Sequence, residues 1–580
     1  MFNNFHPGIF LIFLGIVIML LPEKVRKLLL LVAPAISLIL YFNLEQDSHL
    51  NYRISRNISL NLLEVDKLSL TFGLIFIIIT IIISIYAIDI QKKYESGMSL
   101  IYAGSVVTVV FSGDMISFII FWEMAAFSAA YLIFANGNRK SSRATLRYIL
   151  MHAFGGNMLL IGFMIYMVKG GSGLPTFSNY NSIEFWFILI GVGVNAVIPP
   201  FNSWIVDAYP ESTIAGAVYM GSFTTKIGIY ALIRMFAGTK FLVYVGVFMA
   251  IYGISMAIIE NDLRRLLCYH IISQLGYMVV SLAIGGTTGV DGATAHALNN
   301  ILYKGTLLMC AGSIIKATGL RKISDLSKLE KLYQKMPITF ICFLIASFAI
   351  SGVPFLNGFA SKSLINHATH AGQYKGVLLF LTVATVGTWI SVALKVNYFV
   401  FLGKSGGKQI NIKQIPITMQ LAMMLGAVGC IITGVFPKLV YNLTPNLYKG
   451  NPFTIHGIIE YSSLFIAATF IFVIFKNTLK PNDNLSLDFD WIYRKGLNKV
   501  VDKLSKGVYG FMDKSLETSE KSIDILGNKF ANQNRILKQS NVKILSNLGK
   551  SNEESKISSS ISSAVLFVIA SIVIFVCIYG

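Results

Sequence analysis

The chain has 580 residues, of which 54% are hydrophobic and only 13% are charged. Soluble domains carry about 25% charged residues, so this composition excludes an ordinary soluble protein and indicates an integral membrane protein. The net charge of +20 raises the question of nucleic-acid binding. However, the basic residues fall mainly in short loops on one side and in the C-terminal tail, which is the positive-inside pattern of membrane proteins.

Sixteen apolar segments of roughly membrane-spanning length follow one another along the chain. We place them at 8–22, 27–42, 68–88, 98–112, 115–135, 144–168, 184–210, 213–236, 241–259, 266–284, 293–316, 338–372, 376–402, 415–436, 455–476 and 562–579. The alternation of basic and less basic loops predicts that both termini lie outside and that the basic loops lie in the cytoplasm.

Two of the segments are too long and too interrupted to be simple helices. One reads GVGVNAVIPPFNSWIVDAY and the other reads FAISGVPFLNGFASKSLIN. Proline removes a backbone donor, and such breaks survive in a membrane only where protein or water satisfies the freed groups. The two breaks lie five segments apart and therefore have opposite orientations, which predicts two inverted five-helix repeats at 98–236 and 241–402. Two unrelated proline kinks are the alternative interpretation.

The remaining chain is predicted to form four further parts. N-terminal helices occupy 1–97, C-terminal transmembrane helices occupy 415–476, and a last transmembrane helix occupies 562–579. Between them, 477–561 is charged but carries an apolar stripe that begins with Leu497, Leu504 and Phe511. Such a stripe predicts an amphipathic helix. A helix lying laterally along the membrane face or along neighbouring subunits is favoured over a soluble coiled coil, because the chain re-enters the membrane directly afterwards.

The most informative residues are ionisable groups inside apolar segments. Glu123 and Lys226 lie near the middle of their segments, Lys304 lies in a third, and Lys362 lies beside the second helix break. A charge at the bilayer centre costs at least about 2.5–3.5 kcal/mol, and such groups usually mark ion or proton paths. We therefore predict a proton relay, with structural ion pairs or snorkelling as the alternative. Snorkelling to the interface is the interpretation for Lys395.

Histidines and asparagines add weaker signals. His296 lies two turns from Lys304 on the same predicted helix, with Asn299 and Asn300 between them, so this stripe is predicted to hold water between titratable groups. His152 and His270 are interpreted as core residues. The sequence contains no phosphate-cradling glycine loop, CxxC pair or HExxH motif, so we predict no cofactor or metal and place any redox reaction in a partner.

Several motifs together resemble the antiporter-like membrane subunits. In chain order these are DMISFIIFWEM, PPFNSWIVDAYPE, FTTKIGIYALIR, ENDLRRLLCYHIISQLGYMVV, HALNNILYKGTLLMCAGS and PFLNGFASKS, within roughly 60–405. That family includes the D-type and A-type members of Mrp cation/proton antiporters and the proton-pumping subunits of respiratory complex I. The resemblance implies an all-α membrane bundle with discontinuous seventh and twelfth helices. The tail is similar to the lateral-helix extension of the larger members.

The resemblance also implies roles for individual residues. Glu123 matches the glutamate of the fifth helix, Lys226 the lysine of the eighth, and Lys304 the lysine of the eleventh. Lys362 matches the residue at the twelfth-helix break. The family's seventh-helix lysine is replaced here by Asn195, so the usual glutamate–lysine pair of the first half cannot form, and Lys226 is a candidate substitute partner for Glu123.

The leading hypothesis is a proton-translocating subunit of a multisubunit Na⁺ or K⁺/proton antiporter, similar to the Mrp D-type members, in a bacterial inner membrane. The expected partners are other membrane subunits, protons, Na⁺ or K⁺, and lipid, without nucleic acid. Two alternatives remain: a proton-pumping subunit of an NADH:quinone oxidoreductase, or a scaffold subunit that has lost pumping. The chain itself shows no catalytic redox site, so whether it serves an enzyme depends on its partners.

Overall fold

The computed structural model describes residues 5–53, 59–177, 180–403 and 411–481. The predicted lateral helix and final transmembrane segment, which begin at 477 and 562, therefore lie outside the described residues apart from 477–481. Within these ranges the structure is helical except for one antiparallel hairpin, β1 (His49–Arg53) and β2 (Ser59–Glu64).

Twenty α-helices run through the described residues. They are α1 (Pro7–Ile18), α2 (Glu23–Phe42), α3 (Lys67–Ala87), α4 (Lys93–Phe111), α5 (Met115–Phe134), α6 (Arg139–Val168), α7 (Ile183–Asn195), α8 (Ser203–Ala208), α9 (Ile214–Phe236), α10 (Leu242–Ile259), α11 (Leu263–Ile284), α12 (Gly286–Thr318), α13 (Ile323–Leu326), α14 (Leu332–Lys335), α15 (Pro337–Ser351), α16 (Asn357–Ala371), α17 (Lys375–Thr388), α18 (Ile417–Val435), α19 (Lys438–Tyr441) and α20 (Ile455–Phe475). A 3₁₀ turn (Tyr209–Glu211) follows α8, and a π-helical stretch (Trp389–Phe401) continues α17.

The helices coincide with the predicted membrane segments. Each of the fifteen predicted segments before residue 482 falls on a helix or on a broken pair of helices. In the described ranges, ten helices are long and apolar enough to cross a membrane, and three shorter apolar helices accompany them. The protein is therefore a multi-pass membrane protein, while the total of sixteen spans stays a prediction.

Both predicted helix breaks are present. The first separates α7 from α8 and contains Pro199 and Pro200; the second separates α15 from α16 and contains Pro354. Each break holds a non-glycine residue in the left-handed region, Val197 with φ 60° and Phe355 with φ 69°. Such a conformation costs on the order of 1–3 kcal/mol and persists only where the surroundings enforce it.

Side chains satisfy the carbonyl groups that the breaks release. Trp204 Nε1 donates a hydrogen bond to the Val194 carbonyl at 3.0 Å. At the second break, Lys362 Nζ donates to the carbonyl of Ser351, the last residue of α15, at 3.1 Å. These contacts supply the internal partners that irregular backbone requires at membrane depth.

The buried centre of the bundle is formed by α9, α11 and α12. Nearly every residue of these three helices is buried, whereas many apolar side chains of α18 and α20 are exposed, as expected for surfaces that face lipid. Helices α10 and α11 approach closely at Gly246 and Gly276, where a Cβ on either would lie 2.7 Å or less from the other's carbonyl oxygen. Small residues at such crossings are typical of membrane helix packing.

An ion pair connects one end of α9 with the loop before α3. Both terminal nitrogens of Arg234 donate to the Asp66 carboxylate, the longer bond measuring 3.1 Å. Asp66 also caps α3, accepting from the Ser69 backbone amide at 2.7 Å. Burial raises the pKa of Asp66, but the Arg234 charge and these hydrogen bonds outweigh it and hold the pKa below its usual range.

Asp66→Ala is expected to lower the free energy of unfolding by about 1–2 kcal/mol, because it removes both the helix cap and a partly exposed ion pair. Asp66→Asn keeps a capping side chain and should lower the free energy of unfolding by less than Asp66→Ala does. Because the folded-state pKa is depressed, the wild-type contribution is present above about pH 4 and is lost as the pH falls further. Melting temperatures of the detergent-solubilised protein across this range measure the effect, and equal values for the three proteins would contradict it.

Candidate proton path

The four predicted relay residues are all buried in the helical bundle. Glu123 lies in the middle of α5, Lys226 in α9, Lys304 in α12 and Lys362 in α16. The three lysines are at most 1% exposed and Glu123 is 7% exposed. Snorkelling to the membrane surface is thus not what these side chains do. Their partners within the protein decide what each of them can contribute.

Glu123 is an acid without a basic partner. Its Oε1 is buried and has no hydrogen-bond partner. The carboxyl group rests against α6 at Gly156, where a Cβ atom would lie only 1.6 Å from Oε1. An unpaired buried carboxyl group is costly unless it is protonated or hydrated. This setting suits a group that exchanges a proton.

Lys226 bonds mainly within its own helix. Its Nζ donates to the Gly221 carbonyl at 2.8 Å and to Thr225 Oγ1 at 3.2 Å. The Glu123 carboxylate is not among these contacts. In the part of the chain that the structure describes, the suggested Glu123–Lys226 ion pair is therefore not formed.

Lys304 and His296 belong to a polar network around α12. Lys304 Nζ donates to the Leu267 carbonyl on α11 at 3.0 Å. His296 lies 2.9 Å from Ser361 Oγ on α16 through Nδ1 and 3.2 Å from Gln274 Oε1 on α11 through Nε2. The histidine thus joins three helices. That water is held along the stripe between His296 and Lys304 stays a prediction.

The two asparagines of this stripe hold the network in place. Asn300 Nδ2 donates to the Tyr303 hydroxyl at 3.0 Å, and Asn299 Nδ2 donates to the Asn357 carbonyl at 2.8 Å, at the start of α16. The Oδ1 atoms of Asn299, Asn300 and Asn357 are buried without partners. Unsatisfied buried acceptors of this kind indicate positions for ordered water.

Lys362 closes the second helix break. Besides the Ser351 carbonyl, its Nζ donates to Thr385 Oγ1 at 3.4 Å and lies 4.9 Å from the centre of the Tyr277 ring. A cation is favoured at the carbonyl end of α15 by the helix dipole. The charge of Lys362 is therefore coupled to the geometry of the break.

Asn195 ends α7 at the first break. Its side chain lies beside the ring of His152 on α6. Asn202, on the other side of the break, is fully buried, and neither amide atom has a hydrogen-bond partner. The first half of the bundle thus contains polar groups but holds no ion pair between Glu123 and a lysine.

Sequence reasoning misjudged Lys395. The expected snorkelling is wrong, since the residue is only 2% exposed. Its Nζ donates to the carbonyls of Ile258 at 2.6 Å and Glu260 at 2.8 Å, at the end of α10. It is a buried cap of a helix C-terminus.

His270 is fully buried, in agreement with its interpretation as a core residue. Its Nε2 lies 3.0 Å from Ser391 Oγ, while Nδ1 is buried without a partner.

Residues 112–388 match the family described as NADH:quinone oxidoreductase/Mrp antiporter, TM. That range contains Glu123, Lys226, Lys304 and Lys362. The chain is similar to this family over just under half of its length. The match covers both helix breaks and the central helices α9, α11 and α12.

Three known proteins are similar to more than half of this chain. The A-type Na(+)/H(+) antiporter component of Alkalihalophilus pseudofirmus is 28% identical over 65% of this chain, which spans about half (52%) of that protein. The N-type component of the NADH-quinone oxidoreductase of Desulforudis audaxviator is 27% identical over 57% of this chain and 71% of its own length. A chain of the Mrp complex from Dietzia sp. DQ12-45-1b has the same fold, with a TM-score of 0.67 at 18% identity over 80% of this chain and 98% of that one.

Proposed function

We propose that this antiporter-like subunit translocates protons as part of a multisubunit monovalent cation/proton antiporter. The observation that carries the proposal is the set of four buried ionisable side chains, Glu123, Lys226, Lys304 and Lys362, in one helical bundle with two broken helices. Burial disfavours the charged form of a lysine, while a nearby carboxylate or hydration favours it, so such groups can take up and release protons.

The path has two parts in this proposal, which correspond to the predicted inverted repeats. Glu123 and Lys226 serve the first part. Lys304, His296 and Lys362 serve the second, where the side chains of Gln274, Ser361 and Tyr303 connect α11, α12 and α16. Coupled hydrogen-bond networks of this kind polarise one another and order water, which supports proton transfer along them.

The named relatives are components of multisubunit assemblies, which supports the proposal that this chain also works in one. Experiment decides whether that assembly is an antiporter or an oxidoreductase. One is an A-type antiporter component and one is an N-type component of NADH-quinone oxidoreductase. A D-type position in an antiporter, Na⁺ or K⁺ as the coupled ion, and a bacterial inner membrane with the N-terminus outside are parts of the proposal. The second candidate is a proton-pumping subunit of a complex I-like assembly, which the oxidoreductase relative favours.

The test is proton flux in membrane vesicles from cells that produce the full chain with its native partner subunits. We compare the wild type with a variant in which Glu123→Gln, Lys226→Met, Lys304→Met and Lys362→Met are combined, and we impose a Na⁺ or K⁺ gradient. We expect cation-driven proton movement in the wild type and the background of vesicles without the chain in the variant.

Each alternative gives a different result in the same assay. A scaffold without pumping predicts equal flux for the wild type and for a four-residue variant that assembles normally, and this outcome would refute the relay. Flux that responds to NADH and quinone but not to a cation gradient would place the chain in a complex I-like assembly. Co-purified partner chains identify the assembly independently.

A further inference from the structure

The first half of the bundle contains a cluster of buried polar atoms without partners. They are Glu123 Oε1, the Tyr148 hydroxyl and both ring nitrogens of His152. Buried polar groups are normally hydrogen-bonded, so a group of orphans on neighbouring elements needs a physical explanation. Water held between these atoms is one such explanation, because a buried water molecule makes two to four hydrogen bonds to polar groups of this kind.

His152 is the titratable base of this cluster. Its side chain is 2% exposed, and its ring centre lies 4.0 Å from that of Tyr148 and 4.6 Å from that of Trp204. Asn195, where the family lysine is missing, lies beside the same ring. The imidazole is thus packed against two aromatic rings.

The geometry of α6 places His152 close to the carboxyl group of Glu123. His152 and Gly156 lie one turn apart on one face of the helix, where Cβ positions are separated by about 5–6 Å. The Glu123 Oε1 atom lies 1.6 Å from the Cβ position of Gly156. Glu123 Oε1 therefore lies beside the α6 face that also carries His152, about one helical turn away.

We propose that His152 is the proton-exchanging partner of Glu123 and replaces the basic group that position 195 lacks. This inference rests on the proposed function. The carboxyl proton of Glu123 passes through one water to a ring nitrogen of His152, leaving a carboxylate and an imidazolium. Loss of the proton from the other ring nitrogen restores the neutral imidazole. Histidine suits this step because its neutral ring has one nitrogen that accepts a proton and one that donates a proton.

Two substitutions separate proton exchange from packing. His152→Phe keeps a ring between Tyr148 and Trp204 but removes both nitrogens, and His152→Gln keeps polar atoms but carries no proton. We expect each to lower proton flux about tenfold in the vesicle assay, somewhat below the usual range for a lost acid–base group because Lys226 remains. Adding Asn195→Lys to His152→Phe returns a base to the same place and should restore most of the flux.

The control is His6→Asn, which replaces a buried histidine that caps α1 and lies outside the path. It should leave flux unchanged. Wild-type flux in His152→Phe or His152→Gln, or a double variant no better than the single one, would overturn the proposal and leave His152 as a packing residue. If His152→Phe does not accumulate, the proton flux of His152→Gln and of its double variant with Asn195→Lys tests the proposal in its place. Wild-type flux in the assembled four-residue variant would instead refute the proposed function itself.

Discussion

Glu123→Gln is expected to lower proton flux at least about a hundredfold, the typical contribution of a positioned acid–base group. The glutamine has the same shape and can occupy the same notch beside Gly156, but it cannot take up or release a proton. Because Glu123 Oε1 makes no hydrogen bond, the substitution breaks no contact that holds the fold. Flux in vesicles, normalised to the amount of assembled protein, measures the effect.

Gly156→Ala provides an independent way to disturb the same carboxyl group. Its Cβ would lie 1.6 Å from Glu123 Oε1, so the carboxyl group must move although its chemistry is intact. The matched control is Gly376→Ala on α17, where a Cβ would meet no atom within 4 Å. We expect loss of flux with Gly156→Ala and none with Gly376→Ala. Normal flux in Glu123→Gln would remove Glu123 from the path.

Lys362→Arg is expected to stop proton flux to a similar extent, by at least about a hundredfold, even though it keeps the positive charge. Arginine stays protonated under all ordinary conditions, so it can cap the carbonyl end of α15 and contact Tyr277 but cannot release a proton. The folded state should therefore survive while transport is lost. Lys362→Met removes both the cap and the proton carrier and should also lower the melting temperature.

The comparison residue for this prediction is Lys395, which caps the end of α10 through two carbonyl groups. Lys395→Arg retains a cation at that cap and should keep near-normal flux. If Lys362→Arg conducts protons as well as the wild type, Lys362 is only a helix cap. If both arginine variants lose flux, Lys395 belongs to the path as well, or arginine does not fit at either cap.

The sequence determined the fold class and the positions of the buried ionisable residues. Long apolar segments can satisfy their backbone groups in a membrane only as helices, so the fifteen segments before residue 482 were readable from hydropathy. The prolines near Asn195 and Ser351 marked both breaks. Glu123, Lys226, Lys304 and Lys362 stood out because a charge is costly at membrane depth. None of these inferences needed long-range contacts.

The tertiary structure decided which of these groups meet. Whether Glu123 faces Lys226 or His152 depends on the rotation and packing of α5, α6 and α9, which is set by many small contacts that no local pattern encodes. The same holds for Lys395, whose mid-helix position gave no sign that the end of α10 lies beside it. A buried charge can be recognised from its own segment, but its partner comes from another helix and appears only once the helices are packed.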